Sequence, residues 1–265
     1  MILARVLSRA LPMLSKVGQQ DVKYLAGTRA RHSNGSKMIV YSRIAPSDAP
    51  VIAEHMLENF YKFEPFGLAL GLTNAEVETW FPKFLDEVLN YYEPVSFMAK
   101  DTETNEIVGV AINIIMDLAN RSPPPSMKPY LNKEKQPVKW QIVTFLEDLE
   151  EGVDAIKFLN MDASKTNKMF GCLFLSVSAK YGGKGIAKTL IRESEAEAKQ
   201  LEGVTIATTD TTSQFSYLAF QKLGYESIKE VKYLSYKDHE GIPIFEGRDK
   251  LLGVHTSARV VAKKL

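Results

Sequence analysis

The sequence predicts a mixed α/β domain around one central sheet, and three observations carry that prediction. Apolar runs of strand length alternate with segments of helical periodicity. An early pair of strand-like runs is joined by a short polar turn, a hairpin signal. The stretch SVSAKYGGKGIAKTLI, residues 176–191, links an apolar run to a helical pattern through three glycines in four positions.

Element by element, MIVYSRIA (38–45) reads as a first strand. Residues 48–62 and 74–90 carry helical spacing, the second through Val77, Trp80, Phe81, Phe84, Leu85 and Val88. PVSFMAKD and EIVGVAINIIM are two strands around the turn TETN, and the proline-rich RSPPPSMKP (121–129) interrupts the pattern as a surface insertion. WQIVTFLEDLEEGVDAIKFL (140–159) reads as helix and MFGCLFLSV as a buried strand. After the glycines, Ala187, Leu190, Ile191, Ser194, Ala198 and Leu201 mark a helix of about four turns. VTIATTD (204–210) is a strand, and SQFSYLAFQKLGYE a short helix stopped at Gly224. IKEVKYLSY and GVHTSARVVAKKL close the chain as strands. No composition break marks a second domain, so the folded domain is expected over 38–265, after an extension and linker over 1–37.

A net charge of +1 over 265 residues gives no electrostatic case for nucleic acid or a membrane surface. No segment approaches 18 consecutive apolar residues. The four histidines show no paired spacing, so no metal site is expected. One cysteine, Cys172, excludes a disulfide within the chain and reads as a core thiol without an activating base nearby. The first 20 residues hold no acid. Arg5, Arg9 and Lys16 share one helical stripe, opposite Leu3, Val6, Ala10, Leu14 and Val17. That is the pattern of a mitochondrial transit peptide, although a docked or surface helix shares it, and the expected location is cytoplasmic or mitochondrial.

Three phosphate-binding loops compete for the glycines. A nucleotide triphosphatase loop, G-x-x-x-x-G-K-[ST], is nearly met by GGKGIAKT (182–189), but Ala187 replaces the second glycine. A dinucleotide loop, G-x-G-x-x-G, fails at Lys188 and sits too late in the chain. The third is strand, [QR]-x-x-G-x-[GA], helix, here Lys180-Tyr181-Gly182-Gly183-Lys184-Gly185 followed by Ile186 and Ala187. Backbone N–H groups from Gly183 to Ala187 then converge on a helix N-terminus, which carries about half a positive charge and suits a pyrophosphate. Lys184, with Lys188 as a second candidate, would neutralise it.

On that loop, and on TSQFSYLAFQKLGYES (212–227) downstream with one strand between, the chain resembles the GNAT superfamily of N-acetyltransferases. Lys180 stands where the superfamily has Gln or Arg. The resemblance implies the GNAT fold, a mixed and mostly antiparallel sheet flanked by helices, with acetyl-CoA as acyl donor. Where the superfamily often places Asn and Tyr on its last helix, this chain has Ser213 and Phe220, so a tyrosine acid is missing. Ser213 and Ser216, FYKFEPFG and the GVHTSARVVAKKL ending are similar to the insect and nematode arylalkylamine N-acetyltransferases.

That closer resemblance implies a general base at Glu64, before Pro65, the alternative being a solvated helix-end acid. It implies that Ser213, with Ser216 in support, donates to or holds the departing sulfur; a plain helix N-cap is the bland reading of Ser213. Backbone N–H groups of Leu175, Ser176 and Val177 would polarise the thioester carbonyl. CoA contacts are expected along Gly182, Gly183, Lys184, Gly185, Ile186 and Ala187, and at Phe220. Aromatics around Glu64 (Phe60, Tyr61, Phe63 and Phe66) offer walls for an aryl substrate, though such spacing also suits core. His255 offers an imidazole for proton relay, against the reading of a satisfied strand histidine. The expected reaction is acetyl transfer to a small primary amine. Rivals are transfer to a protein amine, a different acyl group, and a CoA-binding protein without catalysis.

Overall fold

The computed structural model describes residues 29–32, 38–118 and 131–265. The transit-peptide pattern and the proline-rich 121–129 lie outside the described residues.

The strands run β1 Arg29–His32, β2 Met38–Arg43, β3 Phe97–Asp101, β4 Ile107–Asp117, β5 Lys168–Val177, β6 Val204–Thr211, β7 Glu226–Lys232 and β8 Ser257–Lys264. They form one sheet in the order β1-β2-β3-β4-β5-β6-β8-β7. Every pairing is antiparallel except β5 with β6. This is the mostly antiparallel mixed sheet expected. β1 falls within the segment read as linker and pairs with β2 from Arg29↔Tyr41 to His32↔Met38. At the far edge the chain inserts its last strand between β6 and β7, an order that element sequence alone leaves open.

Helices α1 Ala49–Met56, α2 Pro65–Leu70, α3 Asn74–Glu78, α4 Phe81–Tyr91, α5 Pro137–Glu150, α6 Ala155–Phe158, α7 Ile186–Ala198, α8 Gln214–Gln221 and α9 Asp249–Leu252 cover the sheet. The helix expected over 48–62 is α1 followed by a wider turn, Leu57–Tyr61, with i→i+5 character. The one expected over 74–90 is two helices. Pro82 cannot donate an interior helix bond, so it takes an N-terminal position and a new helix begins at Phe81. The run 140–159 likewise breaks after Glu150. Tyr233–Ser235, expected as strand, is a 3₁₀ turn whose Tyr233 ring is buried.

β4 is buried on both sides, as a central strand between two helical layers must be. One apolar cluster gathers residues of α1, α2, α4 and α5 with Val110, Ile112 and Ile114. The other gathers Leu190 and Ile191 of α7, Phe220 of α8, and Ala111 and Ile115. Cys172 is buried in the second cluster, and burial raises its pKa, so it stays a core thiol. Asn113, at a bulge in β4, donates to Ser194 Oγ at 2.9 Å and ties α7 to the strand.

Candidate active site

β5 and β6 pair in parallel only from Lys168↔Val204 to Cys172↔Thr209. Beyond that point β5 continues to Val177 against β4 alone, with Gly109↔Val177 the last pair. The sheet therefore opens between the C-terminal half of β5 and the chain leaving β6. A cavity of about 690 Å³ occupies this opening, with Leu175, Ser176 and Val177 on one wall and Thr212, Ser213 and Ser216 on the other.

From β5 the chain turns through the glycines into α7. Gly183 and Gly185 have φ of +74° and +79°, the left-handed region that glycine enters without a Cβ clash. Gly185 is the N-cap of α7 and supplies no side-chain hydrogen bond to it. The first N–H groups of α7 thus lack the intramolecular acceptor that Thr73, Asp154 and Ser213 give their helices. An anion fits where the cap is missing. The loop is pinned at its base, because Tyr181 donates its hydroxyl to Asp101 Oδ2 at 2.6 Å. Gly182, Gly183 and Phe220 line the cavity; Lys184, Gly185, Ile186 and Ala187 do not. Lys184 is exposed and sits over the Tyr181 ring at 4.8 Å. Ile186 is buried in the core beneath α7.

Glu64 also lines the cavity. It is the N-cap of α2, followed by Pro65 at the first helical position. Its Oε2 accepts the Gly67 N–H at 2.5 Å and its Oε1 the Phe66 N–H at 3.2 Å. Thr212 Oγ1 donates to Oε1 at 2.8 Å, a contact across 148 positions. The solvated helix-end acid is thereby corrected: Glu64 is a hydrogen-bonded capping carboxylate inside the pocket. Burial raises its pKa, opposed by the bonds from Gly67, Thr212 and Phe66. A carboxylate has about four acceptor positions, and three are filled.

Ser213 is the N-cap of α8, so its bland reading holds. Its Oγ accepts the Ser216 N–H at 3.0 Å, and Ser216 Oγ donates to the Ser213 carbonyl at 2.9 Å. With the Ser216 hydrogen given to that carbonyl, the Ser213 hydroxyl donates to Ser216 Oγ at 3.0 Å, so donation into the cavity exchanges this bond for one to the departing sulfur. Thr212, just before, is held from behind by Tyr233, whose hydroxyl donates to its carbonyl at 2.5 Å. The Tyr233 ring packs on Phe66, Phe145 and Phe245. An aromatic cluster thus sets the distance from Glu64 to the serine-bearing helix.

The remaining candidates divide. Phe63 is 61% exposed and flanks the cavity, whereas Phe66 is 3% exposed and belongs chiefly to the aromatic core. His255 precedes β8 rather than lying in a strand, because the ladder begins at Ser257. Its Nδ1 accepts the Gln214 N–H at 3.0 Å, so that lone pair holds the first turn of α8. Burial lowers its pKa.

Sequence reasoning missed Thr212, His55, Trp80 and Lys139. His55 on α1 is buried; its Nδ1 donates to the Ile107 carbonyl at 3.1 Å, so its Nε2 accepts from Ser176 Oγ, also at 3.1 Å. Burial lowers its pKa to about 4, with the Ile107 bond opposing. The neutral imidazole clamps the middle of the cavity's β5 wall. Nothing local in EHM or LSV signals that contact. Among the described residues no group of His, Cys, Asp and Glu is placed to hold a metal, and no helix is long and apolar enough to cross a membrane.

No curated protein matches the chain by sequence. Its structure is similar to that of arylalkylamine N-acetyltransferase 2 from Aedes aegypti, at 25% identity and a TM-score of 0.67, covering 85% of this chain and 98% of that one. Mosquito arylalkylamine N-acetyltransferase like 5b is similar at 20% identity and 0.67, covering 86% and 100%. The polyamine N-acetyltransferase of Drosophila melanogaster is similar at 18% and 0.65, covering 86% and 100%. The latter two likenesses speak to the fold alone. Residues 56–225 match the acetyltransferase (GNAT) family, a span that runs from the end of α1 past the glycine loop and α8. The chain therefore belongs to the acetyltransferase (GNAT) family and is an N-acetyltransferase by class.

Proposed function

We propose that this enzyme transfers the acetyl group of acetyl-CoA to a small primary amine of the arylalkylamine kind, by direct attack with Glu64 as general base. The carrying observation is the half-buried Glu64 carboxylate, which lines the same cavity as Ser213 and retains one acceptor position of its own. The resemblance to the Aedes aegypti arylalkylamine enzyme supports the substrate class.

The uncapped N-terminus of α7 suits the pyrophosphate of acetyl-CoA, and the opening beside β5 suits its pantetheine arm. Backbone N–H groups near Leu175 to Val177 polarise the thioester carbonyl. An amine of pKa near 10.4 is a free nucleophile in only about one molecule in 2,500 at pH 7, a deficit of roughly 4.6 kcal/mol. Glu64 accepts the amine proton, directly or through a water, as nitrogen bonds to the carbonyl carbon. A base with a raised pKa holds that proton better than an exposed carboxylate, which narrows the deficit. The carbon–sulfur bond then breaks, and Ser213 offers its hydroxyl hydrogen to the departing sulfur. A thiolate of pKa near 8.5 is an adequate leaving group, so this donor carries less of the barrier than the base does.

Release of free thiol from acetyl-CoA on adding tyramine, dopamine or tryptamine tests the reading. Glu64→Gln is expected to lower kcat/KM steeply while acetyl-CoA affinity, measured by calorimetry, stays within about twofold. Equal loss of both would make Glu64 a structural cap only.

A further inference from the structure

The cavity extends past Glu64 into a second wall that the acetyl-transfer chemistry does not use. There α5 brings Lys139, Ile142 and Val143 against Leu72 and Trp80. Lys139 is 2% exposed, as buried as Val143 beside it on the same wall. Its Nζ makes one hydrogen bond among the described residues, to Thr79 Oγ1 at 3.3 Å, and lies 5.7 Å from the centre of the Trp80 ring. No carboxylate lies within ion-pair distance of it among the described residues, although Glu76 on α3 is near enough for its charge to favour the ammonium.

A buried ammonium is stable when its donors are satisfied, and this one has three donors and a single long bond. Two further polar atoms on this wall, Trp80 Nε1 and Tyr61 Oη, are buried without a partner. The lysine and the indole are donors only, so the group that complements them is an acceptor.

We propose that Lys139 determines specificity at the far end of the amine. The substrate is a primary amine whose opposite end bears an oxygen acceptor, a phenol hydroxyl or a carboxylate, and not a second cation. This rests on the assignment of the Glu64 pocket to the amine. Amino and acceptor ends then lie on two unlike charges of one cavity, and a diamine meets a like charge at Lys139.

The test uses the full chain with CoA in place of acetyl-CoA, so that binding is read without turnover. Calorimetry compares phenethylamine, tyramine, 4-(2-aminoethyl)benzoate and 1,4-diaminobutane. Tyramine or the benzoate should bind at least about tenfold more tightly than phenethylamine, with the diamine weakest. Which of the two binds better separates a phenol from a carboxylate ligand. In Lys139→Met the ratio to phenethylamine should collapse toward one, and Lys139→Arg should keep it. Melting curves verify that each variant folds; if the methionine variant does not, the wild-type ranking and the arginine variant still decide. Equal binding across the panel, a preference for the diamine, or an unchanged ratio in Lys139→Met overturns the subsite. Thiol release from acetyl-CoA with every amine at similar rates overturns the subsite alone. Acetyl-CoA binding with no release and no amine bound overturns the amine reading beneath it.

Discussion

The two halves of the cavity are built in opposite ways. The half proposed to hold the acyl donor is one continuous piece of chain: β5, the glycine turn and α7, residues 168–198. Its chemistry is backbone chemistry, in unpaired strand edge and uncapped helix N–H groups. The acceptor half converges from four separate segments, with Glu64 before α2, Trp80 before α4, Lys139 in α5 and Thr212 before α8. Its chemistry is side-chain chemistry, and each group acts only because folding sets another beside it. A binding site for an invariant group such as pyrophosphate can be local. A site that discriminates among amines needs walls from several directions.

That contrast can be broken first at Glu64. General-base assistance is worth about 10² to 10⁴ in rate, so Glu64→Gln should cost kcat/KM by that order with the donor half intact. Because burial raises the Glu64 pKa, the acidic limb of the pH profile should lie above the ordinary carboxylate range of about 4.5 and vanish in the variant. A limb that persists in Glu64→Gln would move the base elsewhere.

His55 ties α1 to the β5 wall through Ser176, and its effect should appear in stability. The native fold keeps it neutral down to about pH 4, whereas the unfolded chain protonates it below about 6.5. In that window the unfolded state binds the extra proton, so stability falls as pH drops from about 6.5 toward 4. The full loss is on the order of 3 kcal/mol, from a shift of roughly 2.5 units at 1.36 kcal/mol each. Melting temperatures of wild type and His55→Gln from pH 7 to 4.5 should converge as the pH falls. Parallel curves would assign the acid sensitivity to other groups.

On the donor side, Gly185→Val forces a β-branched residue to φ near +79°, a strain of about 1–3 kcal/mol. Open space surrounds the position, so the strain shifts the loop rather than crowding a neighbour. Acetyl-CoA should bind about 5- to 150-fold more weakly. Unchanged affinity would remove the phosphate loop from the donor half.

The smallest effect separates the two roles of Ser213. Ser213→Ala should destabilise α8 by about 1 kcal/mol through the lost cap and lower turnover modestly. Ser213→Asp keeps a capping oxygen without a hydroxyl proton, so it should restore the melting temperature and not the rate. Recovery of both would reduce Ser213 to its cap.

Much of this molecule is legible in its residue order, for physical reasons that differ by region. β4 and β5 read as buried strands because their apolar runs are long and unbroken. The glycine turn reads as an anion site because positive φ needs glycine, and the glycines sit between a strand and a helix. The helix expected over 74–90 fails at Pro82, where apolar spacing outweighed a missing backbone donor. His255 was placed in a strand because the apolar run beginning at Ser257 masks the turn before it.

Residue order by itself determined most of the strands and the glycine turn with the helix after it, since those follow from short-range periodicity and turn geometry, while Glu64 and Ser213 were singled out by the family resemblance. Only the tertiary structure decided that β8 inserts beside β6, that Thr212 and Tyr233 hold the serine helix against Glu64, and that Lys139 is buried in the same cavity. Those facts are contacts between residues tens to more than a hundred positions apart. Their energies come from burial and hydrogen bonds that exist only once the sheet has brought the segments together.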